Sequence, residues 1–163
     1  MQSDGDAHVL AAPASGRAGL ALAAGAGAGW FAQIGLEIVH ASASEVLAEW
    51  SIGERHLQPH GIVHGGVYAS VVESCCSIGA ALAAPAGKQV VGVENHTSFL
   101  RPVRAGRLRA RAVPLHAGRQ AQLWECAIVD EGDRLIATGR LRVFCVDVPG
   151  GAQPPGQRDA ADP

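Results

Sequence analysis

Glu73 and Ser77 stand four residues apart, and Ser70 and Gly66 continue their stripe toward the N-terminus. On a helix this spacing puts all four on one face. The surrounding segment, Gly65 to Ala84, has no proline and consists mostly of small or apolar side chains. A carboxylate in the middle of such a segment has two readings. It points to solvent or pairs with an arginine. Alternatively, it is retained despite its desolvation cost because it acts on something, as a base or a nucleophile.

The residues ahead of it, Gly61-Ile-Val-His64-Gly65-Gly66, supply a second group. Glycines at the start of a helix leave backbone N–H groups exposed at the positive end of its dipole. Such a terminus binds an anion or stabilises a developing oxyanion, although glycines there also serve a tight turn or close packing. His64 by itself reads as a structural hydrogen bonder. From Gly65 to Glu73 the helix rises about 12 Å. A base and an oxyanion donor must both lie within roughly 3 Å of one reacting group. If both serve one reaction, they come from two antiparallel copies of the helix across a two-fold axis.

Between Asn95 and Trp124 there is no Asp or Glu but six arginines: Arg101, Arg104, Arg107, Arg109, Arg111 and Arg119. Arginine clusters bind phosphates, so a small polyphosphate ligand is one reading. A solvated strand face is the other, and it weighs equally for Arg107, Arg109 and Arg111, which alternate with Leu108, Ala110 and Ala112. The four cysteines (75, 76, 126 and 145) show no metal-ligand or Cys-x-x-Cys spacing and read as reduced, buried small residues. No metal site is expected. No phosphate loop or dinucleotide fingerprint occurs, which leaves nucleotide hydrolysis and hydride transfer without support.

The elements that must position these groups follow from periodicity. Trp30 to Ile34 reads as a helical turn, and Leu36 to Ala41 and Glu45 to Ile52 as strands. Val46, Ala48 and Trp50 fall on one face of the second strand. Gly53 to Val63 is irregular, and the long helix ends at Pro85. Four strands follow: Gln89 to Arg101, Gly106 to His116, Ala121 to Asp130 and Arg134 to Val148. Their joints, PVRAG, AGRQ and EGD, suit antiparallel connections. An apolar helix with few polar positions must be covered on most of its surface. The expectation is an α+β fold, with a curved antiparallel sheet wrapped around one central helix.

The chain has 163 residues, 48% hydrophobic and 17% charged, with a formal net charge of −2. This is one globular domain, expected over residues 29–148, between an Ala/Gly-rich tail (1–28) and a Pro/Gly-rich tail (149–163). The charge balance argues against a nucleic-acid partner. No run of eighteen apolar residues lacks a polar break, and the start has no signal-peptide pattern, so no membrane partner and a cytoplasmic location are expected.

Gln58-Pro-His-Gly-Ile-Val-His64-Gly-Gly-Val-Tyr-Ala-Ser-Val-Val-Glu73 resembles the signature of hotdog-fold acyl-CoA thioesterases, nearest the 4-hydroxybenzoyl-CoA and phenylacetate-degradation branch. The stretch Asn95 to Pro102 is similar to that family's strand after the central helix. The resemblance covers roughly residues 30 to 147. It implies hydrolysis of a small aromatic or short- to medium-chain acyl-CoA, with coenzyme A as part of the substrate and no further cofactor. Glu73 is implied as nucleophile or general base, and the Gly65 N–H as oxyanion donor. Gln58 is implied as a contact to thioester or water, His64 as the fixer of the helix start, and Ser77 as an orienter of water or carboxylate. Arg101, Arg119 and Gln120 match positions that touch the coenzyme A nucleotide in some relatives. The resemblance also implies a homodimer or homotetramer. A hotdog hydratase or dehydratase and a non-catalytic acyl-CoA-binding protein are the alternatives. Cys75 and Cys76, inside an apolar helix without a basic partner, are expected to be inert.

Overall fold

The computed structural model describes residues 29–148; the two assigned tails lie outside the described residues. The elements are helix α1 (Gly29–Ile34), strands β1 (Glu37–Ala41) and β2 (Val46–Ser51), a 3-10 turn at Glu54–His56, helix α2 (Gly65–Ala83), and strands β3 (Lys88–Phe99), β4 (Arg107–Ala117), β5 (Ala121–Asp130) and β6 (Leu135–Asp147). Each expected element is present, with ends within two residues of those read from periodicity.

The strands form one antiparallel sheet in the order β1-β2-β4-β5-β6-β3. AGRQ and EGD are hairpin turns between sheet neighbours, as expected. PVRAG is not, because β3 pairs with β6 and β4 pairs with β2. Residues 100–106 therefore cross the end of the sheet. Seven extended residues reach about 23 Å, which covers three inter-strand steps of about 4.8 Å each. This crossing leaves β3 as an edge strand. It also lets Trp50 and Ala48 pair with Leu108 and Ala110 on the covered face.

α2 contacts β2, β3, β4, β5 and β6. A helix is about 10 Å wide, so a flat sheet could not offer it five strands about 4.8 Å apart; the sheet curves around it. The covered face carries Trp50, Leu108, Trp124, Ile128 and Leu141, all at most 1% exposed. A Cβ at Gly79 would lie 2.4 Å from the Trp124 ring, so only glycine lets helix and sheet approach this closely. Gln122 is buried here too, and its polar atoms are satisfied. Its Nε2 donates to the Ala80 carbonyl at 3.1 Å, and its Oε1 accepts from Trp124 Nε1 at 2.8 Å. α2 is long and apolar enough to cross a membrane, but its apolar face is the centre of this core.

The outer face settles three arginines. Arg107 pairs with Glu49 and Glu37, Arg109 with Asp133 at 2.7 Å, and Arg111 with Glu45 at 2.6 Å. They form a charge ladder across neighbouring strands, the solvated face of the two readings. All four cysteines are free and buried.

Candidate active site

The chemistry-bearing residues gather at the N-terminal half of α2, and local hydrogen bonds explain how. The buried His56 accepts from the Gly53 N–H at Nδ1 (2.9 Å), and its Nε2 lies 2.8 Å from the Ile34 carbonyl, which ties the loop to α1. Residues 57 and 63 then pair as an isolated bridge, with the Gln58 N–H donating to Ile62 O at 2.8 Å. Between them, Arg104 Nη1 donates to the carbonyls of His60 (3.1 Å) and Gly61 (3.0 Å). The side chain of Gln58 folds into this loop, where its Oε1 accepts from the His60 N–H at 3.2 Å.

His64 is the N-cap of α2. Its Nδ1 accepts from the Gly66 N–H at 2.9 Å, and its own N–H donates to His56 O at 2.8 Å. The glycine pair is thereby divided. The Gly66 amide is occupied, while the Gly65 amide has no partner among the described residues. Gly65 lets the Phe99 ring lie against the helix start, since a Cβ there would come within 2.5 Å of that ring and make it shift. Phe99 is 57% exposed, and its ring centroid lies 6.1 Å from that of Tyr68. Tyr68 itself is buried, its hydroxyl has no partner among the described residues, and burial pushes its pKa up to about 12.

Of the two readings of Glu73, the structure gives the solvent-facing position: it is exposed, not desolvated under the sheet. The reason is the crossover. β3 is the last strand, so sheet cover ends beside the stripe formed by Gly66, Ser70, Glu73 and Ser77. Across the gap, Asn95 Nδ2 lies 3.5 Å from Glu73 Oε2. Ser70 is engaged with its own helix, its Oγ donating to Gly66 O at 2.8 Å. Ser77 sits half-buried one turn past Glu73.

Arg101 and Arg119 with Gln120 lie at opposite ends of the sheet. Arg101 and Arg104 line a cleft of about 530 Å³ near the start of α2, and Arg101 donates to the Leu135 carbonyl. Arg119 and Gln120 line a second cleft of about 710 Å³, with Lys88 and His116, near the end of α2. Neither Arg101, Arg104 nor Arg119 has a carboxylate partner among the described residues. Sequence reasoning missed Asn95, His56 and the loop-holding use of Arg104; Phe99, read as core rather than pocket lining, is exposed. Asn95 and Thr97 did carry a signal, as two polar residues two apart on one strand face.

Comparison with known proteins now decides the family. The profile described as Thioesterase superfamily matches residues 60–137. The proofreading thioesterase EntH of Klebsiella pneumoniae is 37% identical over 110 residues, covering 68% of this chain and 80% of that one. The 1,4-dihydroxy-2-naphthoyl-CoA hydrolase of Listeria monocytogenes is 34% identical over 110 residues, covering 68% of this chain and 89% of that one. The solved structure of thioesterase HI1161 from Haemophilus influenzae matches with a TM-score of 0.69 at 32% identity, over 75% of this chain and 85% of that one.

The chain belongs to the thioesterase superfamily. Its sheet around a central helix is the hotdog fold of that family, and its activity is thioester hydrolysis, with acyl-CoA as the general substrate class. The match includes His64, Gly65 and Glu73, while Gln58 lies two residues ahead of it.

Proposed function

We propose that this thioesterase hydrolyses a small aromatic or short- to medium-chain acyl-CoA at a site shared by two copies of the chain. The observation that carries the reading is the position of Glu73. Its carboxylate is open beside the free edge of β3, while the partnerless Gly65 amide lies two turns away on the same helix. About 12 Å of helix rise separates them, so one thioester cannot meet both within one chain.

The edge itself invites a second copy. Val91 and Val93 on β3, Phe99 at its end, Leu100 and the neighbouring Phe144 are all between 46% and 57% exposed. A long apolar edge with unpaired backbone groups is normally covered. Antiparallel pairing of β3 with β3 would lay two α2 helices side by side in opposite directions. Gly65 of each copy then approaches Glu73 of the other. The same symmetry brings the Arg119 and Gln120 cleft of one copy to the end where Arg101 of the second lies. That is how these residues would serve one coenzyme A nucleotide. Two such dimers make the homotetramer we also propose.

In this site the Gly65 N–H, at the positive end of α2, polarises the thioester carbonyl and holds the oxyanion. Glu73 takes the proton of the attacking water, or attacks the carbonyl itself to form an anhydride that water then opens. The C–S bond breaks, the acid leaves as carboxylate, and coenzyme A leaves as a thiolate that takes up a proton. Gln58 turns its amide from the loop toward thioester or water, Ser77 orients the carboxylate, and His64 holds the amide in place. The reaction needs no metal or cofactor besides the coenzyme A of the substrate. The aromatic option is supported by the relative named for a naphthoyl-CoA. The cytoplasm, where acyl-CoAs are made and used, is the proposed location.

The test is steady-state hydrolysis of benzoyl-, hydroxybenzoyl-, phenylacetyl-, butyryl-, octanoyl- and palmitoyl-CoA by wild type and Glu73→Ala. The expected result is turnover concentrated in the aromatic or shorter acyl groups, reduced at least about 10²-fold in the variant, as for loss of a general base. Equal rates for the two proteins would reject the role of Glu73. Preference for palmitoyl-CoA would reject the substrate class.

A further inference from the structure

We propose that Asn95, locked by Thr97, is a positioning residue for Glu73, an inference that rests on the reading of Glu73 as the reacting carboxylate. Asn95 and Thr97 are two apart on β3, so both face α2. Their register partners on β6 are the buried Leu141 and Gly139. Thr97 Oγ1 donates to Asn95 Oδ1 at 2.8 Å. The Ala69 carbonyl can only accept, so it takes the NH2 group and leaves Oδ1 to the Thr97 hydroxyl.

One amide hydrogen goes to the Ala69 carbonyl at 2.9 Å, and the nitrogen also lies 3.5 Å from Glu73 Oε2. Ala69 and Glu73 are four apart, so Asn95 is stapled to α2 at the turn that carries the carboxylate. The contact to Oε2 is longer than the one to Ala69, so the carboxylate keeps room to turn. Its effect is directional: it restrains one carboxylate oxygen and leaves the other to meet water or thioester. A staple of strand to helix needs only the Ala69 bond. The Thr97 bond adds a second anchor, which holds the plane of the amide and with it the N–H nearest Glu73.

The test uses Asn95→Ala, Asn95→Asp and Thr97→Val beside wild type and Glu73→Ala, on the best acyl-CoA of the panel. Melting temperature and oligomer size of each variant are checked first. Asn95→Ala is expected to lower kcat about tenfold with KM within about twofold, the signature of an interaction used in the transition state. Asn95→Asp is expected to lose more, since it replaces a donor by a like charge. Thr97→Val removes one hydroxyl at constant shape, so it is expected to fold normally and lie between Asn95→Ala and wild type, because the amide is then held by the Ala69 bond alone.

A rise in KM at unchanged kcat would overturn the proposal, by making Asn95 a substrate contact. So would kcat within twofold of wild type for Thr97→Val and either Asn95 variant. If Glu73→Ala retains wild-type activity, the reading of Glu73 fails and this proposal fails with it. If Glu73→Ala is inactive and the Asn95 and Thr97 variants are not impaired, only the positioning role fails.

Discussion

Cys75 and Cys76 sit two and three residues past the proposed reacting carboxylate, yet their chemistry is shut off by position. The hydrogen bond between Cys75 and Cys126, then burial, push the Cys75 thiol well above the ordinary range. Burial and contact with Cys76 outweigh the Cys75 bond at Cys126 and raise that thiol too. A raised thiol pKa means less thiolate at neutral pH, hence less nucleophile. Iodoacetamide at pH 7.5 is therefore expected to leave activity of the folded enzyme intact, and Cys75→Ala to keep kcat/KM within about twofold while losing roughly 1 kcal/mol of stability. Rapid inactivation by the reagent would show that the pocket around Cys75 opens. Glu73, Gly65 and His64 were legible in the sequence because one helix fixes their mutual spacing. Asn95 and Arg104 act across 22 and 43 residues of chain, and no local period reports such contacts.

At the scale of elements, alternation and proline positions located all six strands and both helices, since burial on one face imposes a period of two or 3.6. Strand order was not legible, because seven residues suffice either for a loop between neighbours or for a crossing of the sheet end. The wrong neighbour for β3 had a consequence: it hid the open edge and so left the two readings of Glu73 undecided. The crossing segment has its own task. Arg104 lies on it and holds the His60–Gly61 turn, between Gln58 and the helix start. An arginine that orders a loop acts on every thioester, whereas one that binds phosphate acts only on coenzyme A esters. Arg104→Ala is accordingly expected to lower kcat about tenfold, and by the same factor on an acyl-CoA and on the matching acyl-N-acetylcysteamine. A loss confined to the acyl-CoA would reassign Arg104 to the nucleotide. Arg101 offers the contrast. In the proposed site it meets the nucleotide, so Arg101→Ala is expected to raise KM for acyl-CoA and spare the truncated ester.

At the scale of the whole molecule, the shared site makes a prediction that no single-chain site can satisfy. Two variants, each inactive alone, are needed. Glu73→Ala removes the carboxylate. Gly65→Pro removes the amide donor at the first helical position, where proline is favoured. The backbone of His64 (φ −67°, ψ 133°) already has the extended form that a following proline requires, and the Phe99 ring must shift to admit the proline ring. When the two proteins are unfolded together and refolded at equal amounts, half of the dimers contain one of each. In such a dimer, one site joins the intact Gly65 of the Glu73→Ala chain to the intact Glu73 of the Gly65→Pro chain. The other site lacks both groups. Random assortment thus gives about a quarter of wild-type activity from two inactive parents. If Gly65 and Glu73 worked within one chain, every site in every dimer would lack one group, and the mixture would stay as inactive as its parents. Refolding each variant alone controls for recovery, and chromatographic size confirms that mixed dimers formed. Restored turnover would place the oxyanion donor and the carboxylate on different chains. Its absence, with mixed dimers present, would return both to one chain and require a movement of α2 that its packing against five strands opposes.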